Sequence, residues 1–363
     1  MIENRTRLIL MAALWCALPA KGVIFFSTAD PDYNTTAPTG ELANSGWELQ
    51  GNWGYFLGTP ISSKHFITAK HLGGVVGEKF ILNGTEYTTV AYFDDPASDL
   101  RIWKVSGRFP AFAELYSGAD EVGKNLAVFG RGTQRGEEVG VSGLLGSVRK
   151  GWQWGLADGR KRWGENQVGG LASSGRNADT TGGAAGDLLR VPFNARGGLN
   201  EAHLSAGDSG GGVFIDDGAG WKLAGINFTV DGAYNTSDSG PGFAAAIFDE
   251  GGLYKGRESN WTKVPDTVAD LPGAFYATRI SVRLDWITSV LAQPSASDPV
   301  VLQSAPAVTG PYTDEPSAST NSDLRLITLP QPSGHRFYRL RGPPGLWITE
   351  LKVEGGSLIL RYE

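Results

Sequence analysis

The stretch Gly207-Asp208-Ser209-Gly210-Gly211 constrains this chain more than any other. It sets a serine among residues too small to shield it. A serine hydroxyl is a poor nucleophile unless a base takes its proton and donors meet the oxyanion it creates. Glycine at 207 lets the backbone turn so that the N–H groups of Gly207 and Ser209 can converge on one point. A Gly-rich turn with an incidental serine would read the same way, and the chain holds 51 glycines in 363 residues. A histidine and an aspartate upstream decide between the two readings.

Both are present. Ile67-Thr68-Ala69-Lys70-His71 continues a strand-like apolar run and ends on histidine. Ala97-Ser98-Asp99 opens the alternating run Leu100-Arg101-Ile102-Trp103-Lys104-Val105. Asp94 and Asp95 compete with Asp99, but they precede Pro96 and read as turn acids, so Asp99 is preferred. His65, in the turn Ser63-Lys64-His65, reads as a surface residue. The order His, Asp, Ser is one of several in which such a triad occurs.

At this point the sequence resembles the trypsin/chymotrypsin family of serine peptidases. Ile67–His71 is similar to that family's Thr-Ala-Ala-His block, with Lys70 in place of the second alanine. Asp99–Val105 is similar to its Asp-Ile-Ala-Leu-Leu block, and the serine block matches in full. The resemblance covers about residues 47 to 292, with loop insertions. It implies an all-β fold of two six-stranded antiparallel barrels with a C-terminal helix. It also implies a catalytic triad of His71, Asp99 and Ser209, with Gly207 and Ser209 forming the oxyanion hole. Aligned to the family, His203, Leu204, Phe228 and Val230 approach the pocket that takes the substrate side chain. An aspartate stands where His203 falls in trypsin-like members, so cleavage after Lys or Arg loses its main charge partner here. The family's Ile-Val-Gly-Gly terminus is missing. Gly22-Val23-Ile24 is a weak substitute, which leaves open what pairs with Asp208.

Composition agrees with that fold. Charged residues are only 19% of the chain, and short alternating runs are separated by turns such as Asn83-Gly84. A net charge of −6 argues against a nucleic-acid partner, because no excess of cations exists to neutralise phosphates. The four histidines do not cluster at ligand spacing, so neither a metal nor an organic cofactor is expected. Arg5 and Arg7 before the apolar run Leu8–Ala20 read as a signal peptide over residues 1–20, hence a secreted protein, with a membrane anchor as the alternative reading. Cys16, the one cysteine, lies inside it, so the mature chain is expected without disulfides. That suits a bacterial secreted protein better than an animal one.

Residues 21–292 then form the peptidase-like domain. Lys150–Trp154 and Arg160–Trp163 make a basic-aromatic patch, read either as an exosite or polysaccharide contact or as a solvated hairpin with packed tryptophans. Residues 231 to about 270 look inserted. Val282, Leu284, Trp286, Ile287, Val290 and Leu291 suit an amphipathic helix. A Pro/Ser linker at 293–299 leads to a small β-sandwich-like module at 300–363, read as a surface or glycan contact or as a passive spacer. The expected activity is that of a serine endopeptidase acting on polypeptide substrates as a monomer. The alternatives are a non-catalytic binding protein on the same scaffold and an esterase using the same triad.

Overall fold

The structure, a computed structural model, describes residues 22–143, 146–173, 187–257, 260–293, 300–321, 324–342 and 346–363. The signal-peptide and linker readings lie outside the described residues. The chain divides into two compact units, Met1–Thr288 and Ser289–Glu363.

In the first unit, β1 (Ile24–Phe25) pairs with the short strand β14 (Ala202–His203). The next six strands are β2 (Gly51–Trp53), β3 (Phe56–Ser62), β4 (His65–Ala69), β5 (Lys79–Leu82), β6 (Thr85–Asp94) and β7 (Leu100–Val105). They close into a barrel in the order β2-β3-β4-β7-β6-β5, with β2 pairing to β5 to complete the ring. Asn83 and Gly84 both take positive φ, so they form the tight turn expected between β5 and β6. Aromatic rings fill the barrel: Phe66 stacks on Phe80 with centroids 4.0 Å apart, and Trp53 and Trp103 pack beside them.

The second barrel is built from β8 (Asn125–Gly130), β11 (Arg162–Gln167), β12 (Gly170–Ala172), β13 (Leu188–Pro192), β15 (Gly212–Asp216), β16 (Trp221–Val230) and β21 (Ala274–Arg279). Their order is β11-β8-β15-β16-β21-β13-β12. Only Val168-Gly169 separates β11 from β12, so the two edge strands are halves of one bent strand. Counted that way, the sheet is a ring of six, as expected. The Asn166 amide bridges the bend by donating to Pro192 O (2.9 Å) and Ala202 O (3.0 Å). Gln50 joins the two barrels: its Nε2 donates to Thr59 Oγ1 on β3, and its Oε1 accepts from Gly212 N on β15.

Two insertions grow from this frame. A long hairpin, β9 (Thr133–Gly143) with β10 (Gly146–Ala157), pairs with β18 (Ala245–Ile247). The short strands β17 (Tyr234–Asn235), β19 (Tyr254–Arg257) and β20 (Asn260–Lys263) form a sheet of their own. Lys150 ties the two together with ion pairs to Asp249 and Asp266. The basic-aromatic stretch is thus not a solvated hairpin throughout: Lys150, Trp152 and Arg162 are buried.

The helix α1 spans Leu284–Leu291, behind a single 3-10 turn at Ser281–Arg283. It starts two residues later than its apolar pattern implied, and Val282 is exposed. In the second unit, two sheets of three and four strands enclose a core of Leu302, Ile327, Leu329, Leu358, Leu360 and Tyr362.

One buried ion pair anchors the approach to α1. Glu121, fully buried before β8, accepts two bonds from Arg279 (2.7 and 2.6 Å) and one from Ser281 Oγ. Removing one partner of a buried pair strands the other charge. Glu121→Ala is therefore expected to cost about 3–5 kcal/mol, read from the shift in the urea unfolding midpoint.

Candidate active site

β4 is buried along its whole length and stops at Ala69, where a 3-10 turn of Lys70–Leu72 turns the chain outward. The turn carries His71 to the surface, with its side chain 40% exposed. Asp99 stands next to it at the start of β7, where Leu100 pairs with Ala69. The Asp99 carboxylate holds His71 twice: Oδ1 accepts the His71 backbone N–H (2.9 Å), and Oδ2 lies 2.6 Å from Nδ1. A proton on Nδ1 satisfies that contact and leaves Nε2 with its lone pair free to act as a base.

Lys70, the departure from the family block, is part of this arrangement. Its N–H donates to Asp99 O, and its Nζ donates to Asp95 O and Ser98 O. It thereby fixes the loop that presents Asp99. Asp94 is engaged by both Nε and Nη2 of Arg101, and Asp95 accepts from Ala97 N and Ser98 Oγ. Both competitors of Asp99 are thus committed elsewhere.

Ser209 sits half-buried between two glycines with positive φ, Gly207 (+98°) and Gly210 (+79°). Neither position has room for a side chain. A Cβ on Gly207 would lie 2.9 Å from Gly132 Cα, and one on Gly210 would lie 2.3 Å from Thr68 Oγ1 and 2.4 Å from Leu57 O. The residue after Ser209 is therefore packed against Thr68, three positions before His71. Asn227 fixes the loop from the other side: its backbone exchanges bonds with Gly210 and Gly211, and its Nδ2 donates to Asp208 O and Phe129 O. The next residue, Phe228, places its ring 6.0 Å from the His71 ring.

Asp208 is fully buried and surrounded by donors. Oδ1 accepts from Gly132 N (2.6 Å) and Val23 N (3.2 Å), and Oδ2 accepts from Ser205 N (2.7 Å) and Ser205 Oγ (3.0 Å). Burial pushes its carboxyl up to about 6, against the pull of these donors. The weak substitute Gly22-Val23-Ile24 does reach the aspartate, through a backbone amide.

A cleft of about 150 Å³ opens beside Ser209. Leu204, Phe228 and Val230 line it, as expected from the alignment, together with Ser205, Ala206 and Trp154. His203 does not line it. Its ring is buried between Phe193 (5.3 Å) and Phe275 (6.2 Å), and its Nδ1 bonds to Leu204 O. Pairing with Ile24 on β1 turns this side chain into the core, and burial pushes its pKa down to about 4, which keeps it neutral. The surface reading of His65 is also corrected: it is buried at the head of β4, with Nδ1 2.8 Å from Ser62 Oγ. Trp154 was missed as a lining residue. It arrives on the inserted hairpin, and nothing in its local sequence says where that hairpin folds.

No protein-family model matches this chain, and no curated protein matches it in sequence. Among solved structures it is similar to neuropsin, a serine protease expressed in the limbic system of mouse brain. The identity is 14% and the TM-score 0.42, over 68% of this chain and 96% of that one.

The Asp208 contacts yield a direct test. Asp208→Asn replaces one acceptor oxygen with an amide N–H that faces donors. We expect a loss of roughly 1–3 kcal/mol. Hydrogen exchange should also show lowered protection of the Gly132 and Ser205 amides.

Proposed function

We propose that this chain is a serine endopeptidase, exported from the cell by its N-terminal segment, which is removed in the process. The observation that carries the reading is the double hold of Asp99 on His71, beside a serine loop whose glycines admit no side chain. A histidine fixed in that tautomer can take the Ser209 proton on Nε2 as Oγ attacks a peptide carbonyl. The N–H groups of Gly207 and Ser209 receive the tetrahedral oxyanion. His71 then gives the proton to the leaving amine, the C–N bond breaks, and an acyl-enzyme remains. Water, deprotonated by the same Nε2, attacks that ester and releases Ser209.

The cleft supports a preference for the acyl-side residue. Its walls combine Trp154, Leu204, Phe228 and Val230 with small polar residues, and no lining carboxylate is available to a cation: Asp208 is occupied by four donors. We assign it to uncharged, largely apolar side chains rather than to Lys or Arg. An uncompensated cation there would be desolvated without a partner. We assign the C-terminal unit to a contact with a surface or glycan.

The reading of the chain as a non-catalytic binding protein drew on the missing N-terminal pairing of Asp208 and on a bulky pocket wall, and Phe228 and Val230 do line the cleft. The donors around Asp208 remove the first of these supports. Fluorophosphonate labelling tests the proposal: wild type should be labelled and Ser209→Ala should not. Absence of labelling in folded wild type would leave the binding-protein reading. Asp99→Asn should lower kcat by roughly 10⁴-fold, because it holds the wrong tautomer. Peptides with Leu, Met or Phe before the scissile bond should be cleaved at least about tenfold better than their Lys or Arg counterparts.

A further inference from the structure

A second cleft, of about 270 Å³, is lined by Arg131, whose backbone abuts Gly207. Gln50, Asn52, Ile81 and Asn83 of the first barrel line one wall, and Arg131 and Lys161 line the opposite wall. Its position follows from the backbone. Gly132 and Arg131 run against Gly207, so closely that a Cβ there would lie 2.9 Å from Gly132 Cα and 3.4 Å from Arg131 O. Arg131 Nη1 donates to Gly54 O in the turn between β2 and β3.

Both cations in this cleft are held by carbonyls alone. Arg131 Nε donates to Gly159 O (2.9 Å), and Lys161 Nζ donates to Trp47 O (2.8 Å) and Gln50 O (3.2 Å). Lys161 Nζ also lies 4.2 Å from the centre of the Trp47 ring. Among the described residues, neither makes an ion pair with a carboxylate. The neighbouring cations Arg160 and Arg162 do, with Asp32 and Asp158. Burial pushes Lys161 down to about 8; Arg131 adds to that push and Glu48 opposes it. Burial also lowers Arg131. Two like charges, partly removed from water and facing one space, are costly unless an anion joins them.

We propose that this cleft binds an acidic side chain of the polypeptide substrate, on the leaving-group side of the scissile bond. A Glu or Asp carboxylate would accept charge-assisted bonds from Lys161 and Arg131, with Asn52 at the rim. The side is assigned from Gly207, which precedes Ser209 by two residues and abuts the backbone of Arg131, a residue lining this cleft. The other cleft, walled by Phe228 and Val230, takes the acyl residue, so the chain beyond the cleaved bond runs toward Arg131. The nature of the substrate rests on the peptidase reading; the anion site itself does not.

The test scans a single Glu through the four positions after the scissile bond of a peptide, each against its Gln match. At one position Glu should raise kcat/KM by about tenfold or more. That ratio should fall toward one in Lys161→Met and in high salt, which screens the contact. A series that is cleaved with no position favouring Glu overturns the inference, as does a Glu preference that survives Lys161→Met. A second readout needs no turnover: acetylation of Lys161 in wild type at pH 8, mapped by mass spectrometry. A Glu peptide should slow the reaction and its Gln match should not. If no peptide is cleaved, the peptidase reading fails, and this protection decides the anion site alone; equal acetylation with both peptides overturns it.

The pH dependence has a defined sign. Lys161 has its folded value lowered from 10.5 to about 8, so between these limits the unfolded chain binds more protons. Wild type should therefore gain stability relative to Lys161→Met as pH rises from about 8 to about 10.5. A binding anion raises the lysine value and shrinks that gain, whereas a purely structural lysine would not respond to the Glu peptide.

Discussion

The buried carboxylate of Asp208 holds the serine loop in place. A carboxylate taken out of water is expensive, and it persists here because donors from three parts of the chain converge on it. Val23 comes from the N-terminal stretch, Gly132 from the link between β8 and β9, and Ser205 from the loop itself. Its own carbonyl accepts from Asn227, so side chain and backbone of one residue are both tethered. Burial moves the carboxyl up only to about 6, so it is ionised near neutrality and accepts from all four donors. The entry of the chain is shaped around this point. Val23 has φ of +49°, a conformation that β-branched residues avoid, and Gly22 fits a slot where a Cβ would lie 2.7 Å from Gly130 O. Such local strain is sustained only where the surrounding contacts over-determine it.

The other half of the site is held from the opposite barrel by different means. His71 leaves a fully buried strand, so its Cα position is set by β4 and its ring orientation by Asp99. Lys70 joins the two through three bonds to the 95–99 loop. Gln50 and the contact of Gly210 with Thr68 then fix one barrel against the other. The catalytic groups lie where two rigid rings meet, which keeps their relative position from depending on loop mobility.

The blocks around His71, Asp99 and Ser209 were legible because their chemistry is local: a strand must end at the histidine, an apolar strand must follow the aspartate, and glycines must flank the serine. The Asn83-Gly84 hairpin was legible for the same reason. What could not be read depends on distant packing. His203 follows the family register, yet pairing with Ile24, far away in sequence, turns its ring into the core. His65 looked like a turn residue, but it heads the strand that buries it. Trp154 lines the cleft only because β10 is drawn in by β18, more than ninety residues later. The partner of Asp208 was hidden because a backbone amide carries no residue-type signal.

Charge placement separates scaffold from site in the same way. Arg279, Lys150, Arg162 and Arg101 are buried cations, and each has a carboxylate within reach. Arg135, partly buried, is held differently: it donates to the Phe25 and Phe26 carbonyls and lies over the Trp152 ring at 3.8 Å. Its charge is thus spread over fixed dipoles and a π face, and it does not line the cleft. Arg131 and Lys161 are likewise held by carbonyls, but of other residues, and they line the cleft between the barrels. In a chain with six more acids than bases, acidic residues were available to neutralise them. Leaving two adjacent cations without one is a cost that folding alone does not require, and an acid that arrives with the substrate would remove it.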